Sequence, residues 1–145
     1  MGEFIRSYPW AGSSIGEPYV WPQALRTVVR ILLTTGHPTL IMWGPDLTCL
    51  YNDAFSHSLG PEKHPSILGA PGRRAWEEVW PLVGSQIERV LRGEGAVWAE
   101  NQRVPMIRHG ELQEVYWTYS YSPIDEPASP HGIGGVLATC AETTE

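Results

Sequence analysis

The sequence predicts an α+β fold built on one antiparallel sheet. Three observations predict it. Two short apolar runs separated by a turn lie early in the chain. A block of helical periodicity fills the middle. Three runs dense in aromatic and β-branched residues close it. Strands and helices grouped in this way imply an antiparallel sheet with helices collected on one face.

Residues 1–20 are rich in Gly, Ser and Pro, with Trp10 and Tyr19 as isolated anchors, and read as an irregular arm. Residues 21–145 read as one folded domain, a length that can bury a core without staples. Trp21-Pro22 opens a helix with Pro22 at its first position. Trp21, Leu25, Val28, Val29 and Leu32 give it one apolar face, and Gly36 with Pro38 ends it.

Thr39 to Trp43 is a short apolar strand, Gly44-Pro45-Asp46 a turn, and Leu47 to Tyr51 a second strand, so the pair reads as a hairpin. Asn52 then caps a short helix over 53–59. A helical segment over 73–79 is interrupted by Pro81, and a stronger helix continues to Arg92 with Val83, Ile87, Val90 and Leu91 on one face. Residues 96–107, 112–124 and 133–141 are the last three strands, joined by His109-Gly110 and by a Pro-rich loop.

Composition narrows the function. The chain is 42% hydrophobic and 18% charged, which is globular, and its net charge of -6 lacks the basic face that nucleic acid requires. No run of 18 apolar residues spans a membrane, and no apolar signal core opens the chain, so a cytoplasmic location is expected. Cys49 and Cys140 form no CxxC and read as buried thiols. No zinc spacing, phosphate loop or nucleophile elbow occurs, so no metal is expected.

The run Met42 to Ala54, the stretch Trp76-Glu77-Glu78-Val79-Trp80, the stretch Tyr119 to Ile124 and the tail Glu142-Thr143-Thr144 together resemble PAS domains of bacterial sensor histidine kinases. The resemblance covers roughly residues 21–145. It implies a five-stranded antiparallel sheet in the order 2-1-5-4-3, with helices folded over one face around a small cavity. It also implies a signal exit at Glu142, Thr143 and Thr144, where the family commonly carries Asp-Ile-Thr. Glu142 and Thr143 depart from that motif, but a carboxylate is retained for a salt bridge. In this order Cys49 on strand 2 and Cys140 on strand 5 are separated by strand 1. Two inter-strand steps are about 9–10 Å, too far for a disulfide.

The family's flavin-type light sensors need a reactive Cys on a short helix, and its haem binders a His on the long helix. Both cysteines here fall on strands and no His lies between His64 and His109, so neither cofactor is expected. An unknown small ligand would sit between the helices and the inner sheet face, with Phe55, Trp76, Trp80, Val83, Trp98, Trp117 and Tyr119 as lining candidates. Alternation on the fourth strand separates Val115, Trp117, Tyr119 and Tyr121 from Tyr116, Thr118, Ser120 and Ser122, without saying which set faces the helices.

Three further readings concern single residues. His57 or His64 could sense pH. Arg73 and Arg74 could hold an anion, against the plainer reading of a solvated pair. A small pocket enzyme would need Asp53 or Glu100 as its acid or base, and the constellation around them is missing.

The expected function is therefore a sensory input domain of a two-component signalling protein, not an enzyme in itself. It would sense a small molecule or relay a signal to a C-terminal kinase or other output domain. The alternative is a ligand-free dimerisation or relay module. A homodimer through the N-terminal helix and the outer sheet face is the expected partner arrangement.

Overall fold

The computed structural model describes residues 1–60 and 63–143. The segment expected as an irregular arm carries local structure. Gly2–Ser7 forms a short helix (α1), and single 3-10 turns occupy Trp10–Gly12 and Pro18–Val20. Trp10 explains the difference. It is 1% exposed, meets Trp21 edge-on at 5.3 Å between centroids, and donates its indole N–H to the Ile5 carbonyl at 2.7 Å. Burying a ring of that size orders a segment that local propensity leaves loose. Tyr19, by contrast, is exposed and anchors nothing.

The first long helix (α2, Gln23–Thr34) starts one residue later than expected, with Pro22 at its cap. Leu25, Val29 and Leu32 bury on one side of it. Strands β1 (Thr39–Trp43) and β2 (Thr48–Tyr51) form the expected hairpin. Asn52 ends β2 and caps the next helix (α3, Asp53–Ser56). Its Oδ1 accepts from the Phe55 and Thr39 amides, at 3.0 and 3.1 Å, and its Nδ2 donates to the His37 carbonyl at 2.8 Å. One buried amide thus fixes Phe55, the start of β1 and the loop leaving α2.

The middle helices are shorter than the periodicity predicts. α3 gives way after Ser56 to tight turns, and α4 spans only Gly72–Ala75. Pro81 does not interrupt a helix. It sits at the second position of α5 (Trp80–Leu91), where its missing N–H costs no bond.

Strands β3 (Val97–Arg108), β4 (Glu111–Asp125) and β5 (Ile133–Thr143) complete one antiparallel sheet in the order β2-β1-β5-β4-β3. β5 therefore runs through the centre. Gly134 and Gly135 mark a close approach of β5 to β1. A Cβ at Gly134 would lie 2.5 Å from the Trp43 ring, and one at Gly135 2.5 Å from the Met42 carbonyl oxygen. The β2 edge is covered by the chain at 69–71, whose backbone pairs with Cys49 and Thr48. β3 forms the other edge and carries Pro105, which suits an edge strand.

Candidate functional site

Between the middle helices and the sheet lies a cavity of about 60 Å³. The sheet supplies its floor. Leu40 and Met42 come from β1, Ala138 and Cys140 from β5, Trp117, Tyr119 and Tyr121 from β4, and Val104 and Met106 from β3. The roof is Phe55, Trp76 and Val79 with Val83 and Ile87 of α5. No lining side chain is charged or carries an amide. The structure thus assigns the set Val115, Trp117, Tyr119 and Tyr121 to the inner face, all of it buried.

Of the residues singled out in the sequence, Phe55, Trp76, Val83, Trp117 and Tyr119 come together on this cavity, while Trp98 and Trp80 stand outside it. Trp98 requires a correction. It is 67% exposed and pairs with Ser120, on the outer face. The reason is a β-bulge between Ala99 and Gln102, with Asn101 at φ 49°. Val104 and Met106 point inward beyond the bulge, and simple alternation would carry Trp98 inward with them. The extra residue reverses the parity. Trp80 lies instead along α5 over Gly84, where an added Cβ would fall 2.6 Å from its indole nitrogen. The Arg73 guanidinium stands 5.7 Å from its ring centroid.

Two polar features mark the wall. The indole N–H of Trp117 is buried without a hydrogen-bond partner, and that of Trp76 has only the weakly accepting Cys49 sulfur near it. The Tyr119 hydroxyl, in contrast, donates to Gln86 Oε1 at 2.7 Å. Burial pushes the Tyr119 and Tyr121 hydroxyls above the usual phenol range and the Cys140 thiol up to about 12, so the wall stays neutral. Cys49 is likewise raised to about 12 by burial, which a hydrogen-bonding influence from the Trp76 indole only partly offsets. Both thiols are free.

Two ion pairs lie outside the cavity lining. At one rim Lys63 Nζ lies 2.7 Å from Glu78 Oε2 with both side chains nearly buried. Lys63 also donates to the Ala75 carbonyl, and Glu78 accepts from the Ile107 amide of β3. At the far end of β5, Arg108 holds Glu142 through two bonds of 3.0 and 3.2 Å. The same guanidinium reaches the Ser58 carbonyl and Gln113. Sequence reasoning expected a basic partner for Glu142 but had no means of choosing Arg108 on a non-adjacent strand. Thr143 places its hydroxyl in a buried position without a partner, and Thr144 lies outside the described residues.

Asp53 and Glu100 are exposed and away from the cavity. Asp53 pairs with the Met1 ammonium at 2.7 Å, a bond that lowers its pKa. His57 is exposed, and the His64 Nδ1 lies 2.8 Å from the Tyr51 hydroxyl, outside the cavity lining. Arg73 and Arg74 are solvated. Among the described residues, no cluster of His, Cys, Asp or Glu is arranged to hold a metal ion, and no helix is long and apolar enough to cross a membrane.

No protein-family profile matches the chain, and no curated protein matches it in sequence. Solved structures do match. The PAS domain of a protein from Colwellia psychrerythraea has a TM-score of 0.56 at 12% identity, covering 83% of this chain and 97% of that one. A sensory box sensor histidine kinase from Vibrio cholerae gives 0.57 at 15%, with 83% and 91% covered. The PAS domain of Bordetella pertussis BvgS gives 0.53 at 16%, with 86% and 89% covered. Identities this low carry a fold and not a chemistry. Taken with the sheet order β2-β1-β5-β4-β3 and the helices over its inner face, they show that this chain has the PAS fold.

Proposed function

We propose that the chain is a cytoplasmic signal-input module of a bacterial two-component protein, of the sensor histidine kinase type. It holds a small molecule in the cavity and passes its state along β5 to an output domain. One observation carries this reading. β5 walls the cavity with Ala138 and Cys140, and two residues further on Glu142 is clasped by Arg108. A change in the wall is therefore felt at the strand's end without any intermediate element. The neutral, nearly polar-free lining and the placement of Asp53 and Glu100 outside it support binding rather than catalysis. Native mass spectrometry of freshly purified protein tests occupancy. Hydrogen exchange over 138–143, before and after ligand removal, tests transmission. A co-purified molecule whose loss leaves β5 protection unchanged contradicts the proposal.

A second reading, a relay and dimerisation module without a ligand, is favoured by the small volume of the cavity. Both readings include a homodimer through α2 and the outer sheet face, supported by exposed Ile31 and Leu33 on the helix and Trp98 on the sheet. Light scattering at high concentration checks it, and a monodisperse monomer contradicts it.

A further inference from the structure

The four most informative tryptophans divide by location. Trp10 and Trp21, buried away from the cavity, both donate their indole N–H to a carbonyl, at 2.7 and 2.8 Å. Trp76 and Trp117, 7% and 5% exposed, line the cavity and leave theirs unpaired. An unpaired buried donor forfeits its hydration, a loss that an added acceptor would offset. The Cys49 sulfur, a weak acceptor, lies near the Trp76 indole, and the Lys63 ammonium stands 5.3 Å from its ring centroid.

We infer that the cavity selects small uncharged molecules bearing a hydrogen-bond acceptor, which takes the N–H of Trp117 and of Trp76. This rests on the ligand-binding reading above and adds a chemical class to it. Water serves the site poorly, because it needs two to four polar partners and the remaining wall is mostly hydrocarbon. A carboxylate is disfavoured, because no lining side chain is a cation and Lys63 at the rim is already paired with Glu78. An apolar cavity of roughly 150 Å³ accepts benzene, so this one, at about 60 Å³, takes a ring of that size only as Met42 and Met106 re-pack.

The test uses the full chain labelled with nitrogen-15 and follows its seven indole N–H signals. Three probes are titrated: cyclopentanone, its isostere methylenecyclopentane, and cyclopentanecarboxylate. Cyclopentanone is expected to bind about fivefold tighter than methylenecyclopentane. It should move the Trp76 and Trp117 signals downfield, while the carboxylate does not bind. Trp117→Phe should reduce the ketone's advantage, read as the ratio of the ketone's affinity to the hydrocarbon's, so that the change in cavity size affects both probes alike. Trp76→Phe serves the same purpose if that variant fails to fold. Equal affinity for the two isosteres overturns the acceptor inference and spares the cavity reading, as does tighter binding of the carboxylate. If no probe perturbs the methyl signals of Val83 or Ile87, the cavity reading itself falls.

Discussion

The two halves of the sheet are built differently. β1 and β2 are buried at every position, and β3 and β4 alternate between buried and open. On the first half Leu40 and Met42 face the cavity, and Ile41 and Trp43, pointing the other way, are just as buried because α2 packs on these strands. On the second half Trp117 and Tyr119 are covered, whereas on the opposite face Thr118 and Ser120 are only half-buried and Trp98 is exposed. One half is thus the middle of three layers and the other the outer of two. Packed interiors resist deformation, so movement is expected in the half with a single cover. β5 lies on the seam between them, which is where a transmitted change would be sensed by both.

The largest expected effect breaks the cover of the half that has only one. Lys63 and Glu78 join the helical layer to β3 through a nearly dehydrated ion pair. Lys63→Met leaves Glu78 buried without its partner and should cost about 3–5 kcal/mol in urea unfolding. Adding Glu78→Gln should recover much of that loss, because the buried charge is then gone. A double variant as unstable as the single one would mean that packing, not charge, sets the cost.

Next comes the seam. Gly135→Ala puts a methyl 2.5 Å from the Met42 carbonyl oxygen, and backbone cannot yield as a side-chain end can. The β1–β5 pairing must open locally, at a cost of about 2–3 kcal/mol by thermal unfolding. Hydrogen exchange should accelerate along β1 and β5 more than along β3. Uniform acceleration would remove the distinction between the two halves.

A smaller loss is expected at the strand's end. Arg108→Gln gives up two bonds to Glu142 and one to Ser58, yet Glu142 is about one-third exposed and can rehydrate. The cost should be about 1–2 kcal/mol. Greater exchange at 140–143 than in β1 would place the looseness where the proposed signal leaves.

The same contrast decides what was legible in the sequence. Thr39 to Trp43 is a continuous apolar run, the mark of a strand buried on both faces, and residues 115–121 alternate, the mark of one covered face. Strand identities, the turn at His109-Gly110 and the capping role of Asn52 follow from such local rules. Trp98 failed because one bulge residue resets the parity of a strand, and the only local sign is Asn101, which tolerates a positive φ. The local structure of the arm around the anchor Trp10 was missed for the opposite reason. The burial of Trp10 depends on Trp21 and on a fold that its own neighbours do not encode. Ion pairs such as Lys63–Glu78 and Arg108–Glu142 join distant positions and have no periodicity to reveal them.

The smallest effect tests whether the three-layer half is also insensitive to acid. His64 sits beside the end of β2, with Tyr51 and Phe4 edge-on to its ring at 5.6 and 5.4 Å. Its burial, then the nearby Met1 ammonium, hold its imidazole below the ordinary pKa, with His57 adding slightly and Asp53 opposing. With the proton on Nε2, Nδ1 accepts from the Tyr51 hydroxyl, a bond that protonation would remove. The unfolded imidazole titrates near 6.5. As pH falls through that value the unfolded state takes up a proton before the folded one does. Stability must therefore decrease between about 6.5 and the lower folded pKa, and level off beneath it. The expected drop in melting temperature is about 2 °C or less, since the ring is only partly buried. His64→Gln should flatten this segment of the profile between pH 7.5 and 5. An unchanged slope would assign the acid response to other groups and leave the closed half without a proton-sensitive contact at His64.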